Sequence, residues 1–185
     1  MKSVRWGIVG LGNIANKFAG DLALIPNCSL QAVASSDSAR ANEFAHKYKA
    51  KNSYSNYTDL FRDPEVDLVY IASLHPSHAA LSIEAIKYGK GVLCEKPMGM
   101  NAKQVKQIIQ AATEANVFLM EALWTRFNPA FEQTHQWILE NKIGNLRYIN
   151  ATFSFNGLNR GVDSRLFNPE KGGGSLLDIG IYPLF

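Results

Sequence analysis

Val4-Arg5-Trp6-Gly7-Ile8-Val9-Gly10-Leu11-Gly12-Asn13-Ile14-Ala15 is the stretch that decides the fold. Its β-branched and aromatic residues predict a strand over 4–9. Beyond the glycines, Ile14, Phe18, Leu22 and Ile25 recur at helical spacing and predict a helix over 14–24. The junction fits the pattern G-x-G-x-x-A. There Gly10 permits a tight turn, Gly12 lets a pyrophosphate approach the backbone, and the small Ala15 lets helix and strand pack closely. The helix start adds unpaired N–H groups and a partial positive charge. A tight turn with no ligand uses the same glycines, so the motif takes its weight from its place between the first strand and the first helix.

Downstream, strand and helix alternate. Strands are expected over 30–34, 50–54, 66–72, 91–94 and 117–121, and helices over 39–48, 58–61, 78–88 and 101–116. Gly89 suits the left-handed position past a helix end, and Asn101 with Gln104 resembles a capping box. The nearly unbroken apolar run Val66-Asp67-Leu68-Val69-Tyr70-Ile71-Ala72 is that of a strand covered on both faces. Such alternation predicts an α/β fold with a doubly wound parallel sheet over residues 1–122. Ligands of these sheets lie at the carboxyl ends of the strands. Three loops fall there: the glycine turn, Ser73-Leu74-His75-Pro76, and Glu95-Lys96-Pro97. A lysine closing an apolar strand is costly to desolvate, which makes Lys96 a candidate for holding a ligand or a proton. An ordinary solvated Glu95–Lys96 pair is the plainer alternative.

The second strand end bears on which dinucleotide is held. An acidic residue about 20 residues on normally binds the ribose hydroxyls of NAD. Here the strand-end position is Ser35, followed by Ser36, with Arg40 one turn into the next helix. Two hydroxyls and a guanidinium suit a 2′-phosphate, so NADP(H) is favoured and NAD(H) remains possible. Asp37 keeps the NAD alternative open, since one step of register would make it the ribose carboxylate.

After Ala122 the pattern changes. A helix is expected to end near Asn141, and residues 146–155 alternate strictly, with Ile149, Ala151, Phe153 and Phe155 on one face and Tyr148, Asn150, Thr152 and Ser154 on the other. That predicts a half-covered strand beginning an α+β domain over 123–185, its open face solvated or a subunit interface. Then comes Gly172-Gly173-Gly174-Ser175-Leu176-Leu177-Asp178-Ile179-Gly180-Ile181-Tyr182. The glycine triplet calls for unusual backbone angles or a close neighbour. On one helix Asp178 and Tyr182 would share a side, as a proton-handling pair or as a buried tyrosine bonded to a carboxylate.

Composition narrows the classes. The 185 residues are 19% charged and 46% hydrophobic, with a net charge of +3 and no Lys/Arg run, which argues against a nucleic-acid surface. No run of 18 apolar residues is present, and Met1-Lys2-Ser3 leads straight into a strand rather than a signal peptide. Cys28 and Cys94 make neither a disulfide framework nor a metal site. A cytoplasmic protein, with neither membrane nor nucleic-acid partners, is expected.

These motifs together resemble the Gfo/Idh/MocA family of nicotinamide-dependent oxidoreductases. The resemblance is carried by the segments 10–15, Glu95-Lys96-Pro97 and 172–182, and it runs from Val4 to the last residue. Glu121-Ala122-Leu123-Trp124-Thr125-Arg126-Phe127 and Tyr182 are similar to its dimeric dihydrodiol dehydrogenase and NADP-dependent D-xylose dehydrogenase branch. The resemblance implies hydride transfer between NADP(H) and a hydroxyl-bearing carbon of a sugar, polyol or cyclic diol. It implies Lys96, Tyr182 and Asp178 as catalytic residues, with the tyrosine as general acid/base, and Trp124 and Arg165 near the substrate. The implied cofactor contacts are Gly10, Leu11, Gly12, Asn13, Ile14, Ser35, Ser36, Arg40, Ser73, Leu74, His75, His78, Glu95 and Lys96. Ser73-Leu74 and His75 depart from the family's usual Thr-Pro and asparagine. Members exceed this chain in length, so the C-terminal domain is expected to be incomplete, the 185 residues inactive by themselves, and the full protein a homodimer or higher homo-oligomer through its C-terminal sheet. A non-catalytic NADP(H)-binding fragment or sensor, and a biliverdin-reductase-like enzyme, are the alternative readings.

Overall fold

A computed structural model describes residues 3–185. Met1 and Lys2, read above as leading straight into the first strand, lie outside the described residues. The chain divides into two units, residues 1–122 and 123–185.

The first unit carries six strands: β1 (Val4–Val9), β2 (Cys28–Ala34), β3 (Asn52–Tyr54), β4 (Leu68–Ile71), β5 (Gly91–Glu95) and β6 (Leu119–Ala122). They form one sheet in the order β3-β2-β1-β4-β5-β6, every pair parallel. The α/β doubly wound reading is therefore correct. Sequence order reverses between β1 and β4, and at such a switch point two neighbouring strand-end loops leave in opposite directions and open a crevice.

Both faces of the sheet are covered. Ile8, Val33, Tyr70 and Leu93 pack with Ala15 and Ala19 of α1 (Asn13–Leu22) and with Ala41 and Phe44 of α2 (Ser38–Tyr48). Val9, Val69, Ile71 and Val92 pack with Leu60 and Phe61 of α3 (Tyr57–Arg62), Ala85 and Ile86 of α4 (His78–Lys87), and Ile108 of α5 (Ala102–Ala115). Each fully buried Val, Ile or Phe contributes about 1.5–3 kcal/mol, so these alternating residues fix which way every strand faces.

Local signals set the helix ends. Asn101 Oδ1 accepts from the Gln104 amide at 3.0 Å, and Gln104 Oε1 accepts from the Met100 amide at 2.8 Å. The reciprocal cap is thus present, with its return bond one residue further back than in a strict capping box. Gly89 takes the left-handed conformation past α4, as expected. The stripe expected on α1 holds at Phe18 and Leu22 and is corrected at Ile14 and Ile25. Ala15, Ala19 and Leu22 are buried, whereas Ile14 and Ile25 are exposed. Close approach to the sheet selects the small side chains, which hydrophobicity alone underrates. Strand β4 begins at Leu68 rather than Val66, because the Val66 amide closes a turn onto the Asp63 carbonyl at 3.2 Å.

The amino edge of the sheet carries its own polar cluster. Arg5 grips Asp67 through Nε and Nη2 at 2.9 and 2.8 Å, tying β1 to the start of β4. Buried Lys90 donates from Nζ to the carbonyls of Asp63 and Val66 at 2.6 and 2.8 Å. These charges hold the fold together on the edge remote from the crevice.

The second unit contains α6 (Pro129–Leu139), capped by Asn128, and two four-residue helices, α7 (Ser175–Asp178) and α8 (Ile181–Leu184). The strand expected over 146–155 is not formed. Among the described residues the segment has no ladder partner, and Ile149, Phe153 and Phe155 stand exposed together with Tyr148. Alternation shows which residues a strand could bury, but a strand exists only where a neighbour accepts its hydrogen bonds. No helix among the described residues is long and apolar enough to cross a membrane.

Candidate functional site

At the switch point Gly10 adopts φ +85. A Cβ there would stand 2.6 Å from the Ser73 nitrogen and 2.7 Å from the Ala72 carbonyl carbon, so the β1 and β4 loops cross backbone to backbone. Gly12 caps α1 with no side-chain hydrogen bond, and the first turn of α1 holds no acidic residue. A Cβ on Gly12 would have nothing within 4 Å. The helix start is therefore uncovered, with the amides of Asn13 and Ile14 at its opening. An anion over such a turn gains about 0.3–1 kcal/mol from the helix dipole, besides its hydrogen bonds. Leu11, expected to contact the cofactor, buries its side chain in the core, which leaves its backbone for any ligand. Ala15 is fully buried, as close packing of helix on strand requires.

At the end of β2, Ser35 is buried and its Oγ accepts from the Asp37 amide at 3.2 Å. Asp37 caps α2 by accepting from the Arg40 amide at 3.1 Å, and its second oxygen lies 3.8 Å from the Arg40 guanidinium. The carboxylate is thus engaged at the helix start, while the Arg40 side chain remains largely in solvent. Ser36 lies between them and is exposed.

After β4 the chain makes a short 3-10 turn, His75–Ser77. The Ser77 hydroxyl lies 2.8 Å from both the Ser73 hydroxyl and the Leu74 carbonyl. His75 is buried, whereas Leu74 is exposed. His78, expected among the cofactor contacts, has no exposed surface at all. Its Nδ1 lies 2.8 Å from the Pro97 carbonyl and its Nε2 3.1 Å from the Ser73 carbonyl. The ring is thus enclosed between the two loops, and no surface of this side chain is left for the cofactor contact expected of His78.

Lys96 sits just past the end of β5, and the Lys96–Pro97 peptide bond is cis. The chain around it is pinned on both sides. Glu95 accepts from the Tyr70 hydroxyl at 2.5 Å and from the Lys96 amide at 3.2 Å. Glu121, on β6, accepts from the Met98 amide at 2.7 Å. Burial pushes the Glu95 carboxyl above the usual carboxylate range, against the opposing pull of the Tyr70 hydrogen bond and the Lys96 charge. Burial likewise pushes the Cys94 thiol up to about 12, which keeps it protonated and unreactive. Tyr70 and Glu121 were missed as positioning groups. Their one signal in the sequence is a hydroxyl or carboxylate set in a strand that is otherwise apolar.

The second unit brings its own expected residues together in two pairs. Trp124 donates from Nε1 to the Tyr182 hydroxyl at 3.1 Å, and the Tyr182 ring packs 4.6 Å from that of Phe153. Arg165 donates from Nη1 to Asp178 Oδ1 at 3.2 Å, where Asp178 is only 5% exposed. A cavity of about 630 Å³ opens beside Asp178, with Phe155, Leu158, Phe167 and Ile179 among its walls. The single helix expected to carry Asp178 and Tyr182 is in fact α7 and α8, with Ile179 and Gly180 between them. The glycine triplet does what its composition required. Gly172 and Gly174 take positive φ, and a Cβ on Gly173 would stand 2.7 Å from the Asn168 carbonyl oxygen. Among the described residues no group of acidic, histidine or cysteine side chains is placed to hold a metal ion.

An uncovered helix start against a parallel-sheet switch point defines a nucleotide-binding Rossmann unit. Residues 4–123 match the oxidoreductase family with an NAD-binding Rossmann fold, and residues 131–185 match the GFO/IDH/MocA C-terminal domain. The chain belongs to the Gfo/Idh/MocA oxidoreductase family. It is 42% identical over 184 residues to trans-1,2-dihydrobenzene-1,2-diol dehydrogenase of Mus musculus, a match covering 97% of this chain and 54% of that protein. Among solved structures, a 3-ketoreductase from Actinomadura kijaniata, in complex with NADP and TDP-benzene, superposes with a TM-score of 0.90 at 29% identity, over 99% of this chain and 56% of that one. Apo scyllo-inositol dehydrogenase from Lactobacillus casei gives a TM-score of 0.73 at 26% identity, over 78% and 44%. The chain spans about half the length of the curated relatives it matches.

Proposed function

We propose that this chain is the cofactor-binding part and the start of the substrate domain of an NADP(H)-dependent oxidoreductase. Its reaction is hydride transfer to or from a hydroxyl-bearing carbon of a sugar, polyol or cyclic diol. The observation that carries the proposal is the bare start of α1, where nothing lies within 4 Å of the place a Gly12 side chain would take. The residues present suit a dinucleotide. Gly12, Asn13 and Ile14, with the Leu11 backbone, offer amides to a pyrophosphate, while Gly10, whose amide donates to the Ala34 carbonyl at 3.4 Å, shapes the turn. Ser35, Ser36 and Arg40 offer hydroxyls and a positive charge to a 2′-phosphate, and engagement of Asp37 at the α2 cap supports NADP(H) over NAD(H). Ser73, Leu74, His75 and Glu95 line the next loops.

A bound nicotinamide ring supplies the hydride acceptor or donor. The protein's own part is orientation and proton handling. Lys96 donates a hydrogen bond to the substrate oxygen and stabilises negative charge there. Tyr182 exchanges the hydroxyl proton, its oxygen oriented by the Trp124 indole. Asp178, oriented by Arg165, accepts from a substrate hydroxyl. The partner is a small hydroxylated molecule, the setting the cytoplasm, and the assembled protein a homodimer or higher homo-oligomer. The family membership and the diol dehydrogenases among the relatives support the substrate class.

Titration of NADPH and NADH fluorescence tests the cofactor, and turnover with trans-dihydrodiols, D-xylose and polyols tests the chemistry. Tight NADPH binding and oxidation of a hydroxyl substrate are expected. Lys96→Ala should abolish turnover and keep NADPH bound; unchanged turnover in that variant would end the proposed role. Cofactor binding with no turnover of any hydroxyl compound in the whole protein would leave a nucleotide sensor instead.

A further inference from the structure

His78 opens α4 with its imidazole wholly buried, yet each ring nitrogen faces a carbonyl oxygen. Carbonyl oxygens only accept, so the ring is the donor; neutral it donates to one, doubly protonated to both. The two oxygens belong to different loops. Ser73 contributes the backbone against which Gly10 packs, and Pro97 directly follows Lys96. The ring of His75 meets that of His78 edge-on at 5.6 Å. A rigid ring with a polar atom on each of two sides, buried in the gap between two ligand-facing loops, does what a flexible side chain cannot: it fixes their separation.

We propose that His78 is a positioning residue that sets Lys96 relative to the β4 loop, through Pro97 on one side and Ser73 on the other. The proposal rests on the NADP(H) reading above. Two substitutions take the ring apart. The amide nitrogen of Asn falls near the place of Nδ1 and retains the Pro97 link, and that of Gln falls near Nε2 and retains the Ser73 link.

The test uses the 185-residue chain with NADPH as probe. NADPH affinity is read by fluorescence, and acylation of Lys96 by acetic anhydride is followed by peptide mass spectrometry with and without NADPH. In His78→Asn, NADPH binding should weaken about three- to tenfold, the range that one lost hydrogen bond gives, while cofactor-free Lys96 acylates at the wild-type rate. In His78→Gln, NADPH affinity should hold, while the Lys96 acylation rate changes by a similar factor of about three to ten and NADPH no longer protects it. Identical responses of the two variants, or no response in either readout, would overturn the proposal. A measurement without substitution guards against misfolding. With 15N-histidine labelling, His78 should show a ring N–H that exchanges slowly; exchange as fast as at exposed His135 overturns the clamp. Failure of the unsubstituted chain to bind NADPH would remove the cofactor reading, while the ring N–H and cofactor-free Lys96 measurements still decide the clamp.

Discussion

Replacing Gly10 and Gly12 by alanine, one at a time, should separate folding from binding, although the two glycines are two residues apart in one motif. At Gly10 the new methyl meets backbone: the Ser73 nitrogen at 2.6 Å, with the Ala72 carbonyl carbon and Ser73 Cα at 2.7 Å. No rotamer change relieves that contact, so β1 and β4 must part where the Ala72 amide now bonds to the Val9 carbonyl at 2.8 Å. A left-handed alanine costs about 1–2 kcal/mol and overpacking about 1–3, so Gly10→Ala should lose roughly 2–5 kcal/mol. That is a large share of a typical domain's stability of about 5–15 kcal/mol. At Gly12 the backbone is extended, with φ -87, and nothing lies within 4 Å of the added Cβ. The gain from a stiffer unfolded chain and the loss of a better cap should cancel to within about 1 kcal/mol. The methyl nevertheless stands over the open helix start. Urea unfolding followed by circular dichroism should show a much lower midpoint for Gly10→Ala and an almost unchanged one for Gly12→Ala. NADPH titration should show binding lost in the folded Gly12→Ala variant. A Gly10→Ala variant as stable as the parent would refute the crossing of loops, and full NADPH affinity in Gly12→Ala would refute the placing of the pyrophosphate.

Further outcomes follow from the buried polar groups. Burial pushes Asp63 up, but hydrogen bonds from Asn52, the Glu65 amide and Tyr54, with the charge of Lys90, outweigh it and hold its carboxyl below the usual aspartate value. A carboxyl lowered by folding stabilises above its unfolded pKa and loses that contribution as pH falls through the folded one. Urea midpoints measured from pH 6 downward should therefore fall more steeply in the parent than in Asp63→Asn; parallel curves would contradict the assignment. Tyr70→Phe removes the donor on half-buried Glu95 and should cost about 1–3 kcal/mol of stability, while an unchanged melting temperature would show that the hydroxyl carries no weight. Cys94, with its thiol pushed up to about 12, should resist a disulfide reagent at pH 8 until denaturant is added; rapid labelling in the native protein would show that the strand end opens readily.

Local structure was the part most legible in the sequence. The alternation of β1 to β6 with helices, the Gly89 stop and the Asn101–Gln104 cap depend on neighbours a few positions away, and all stand in the structure. The faces were harder. Ile14 outranks Ala15 in hydrophobicity, yet the alanine is the buried one, because the sheet lies too close to α1 for anything larger. Residues 146–155 alternate as a strand should, but the pattern states an ability rather than a partner. Among the candidate site residues, Trp124 with Tyr182 and Arg165 with Asp178 came together as side-chain pairs. Leu11 and His78 point into the protein instead.

What the sequence determined by itself is the class of fold and the place of its ligand edge. Glycines, caps and the period of apolar residues act over single turns and leave few topologies open. Tertiary structure alone decided which polar groups the loops are hung from. The partners of Glu95, Pro97 and Met98 lie on β4, α4 and β6 respectively. Such bonds join residues that no local spacing relates, and only closure of the sheet brings donor and acceptor within reach.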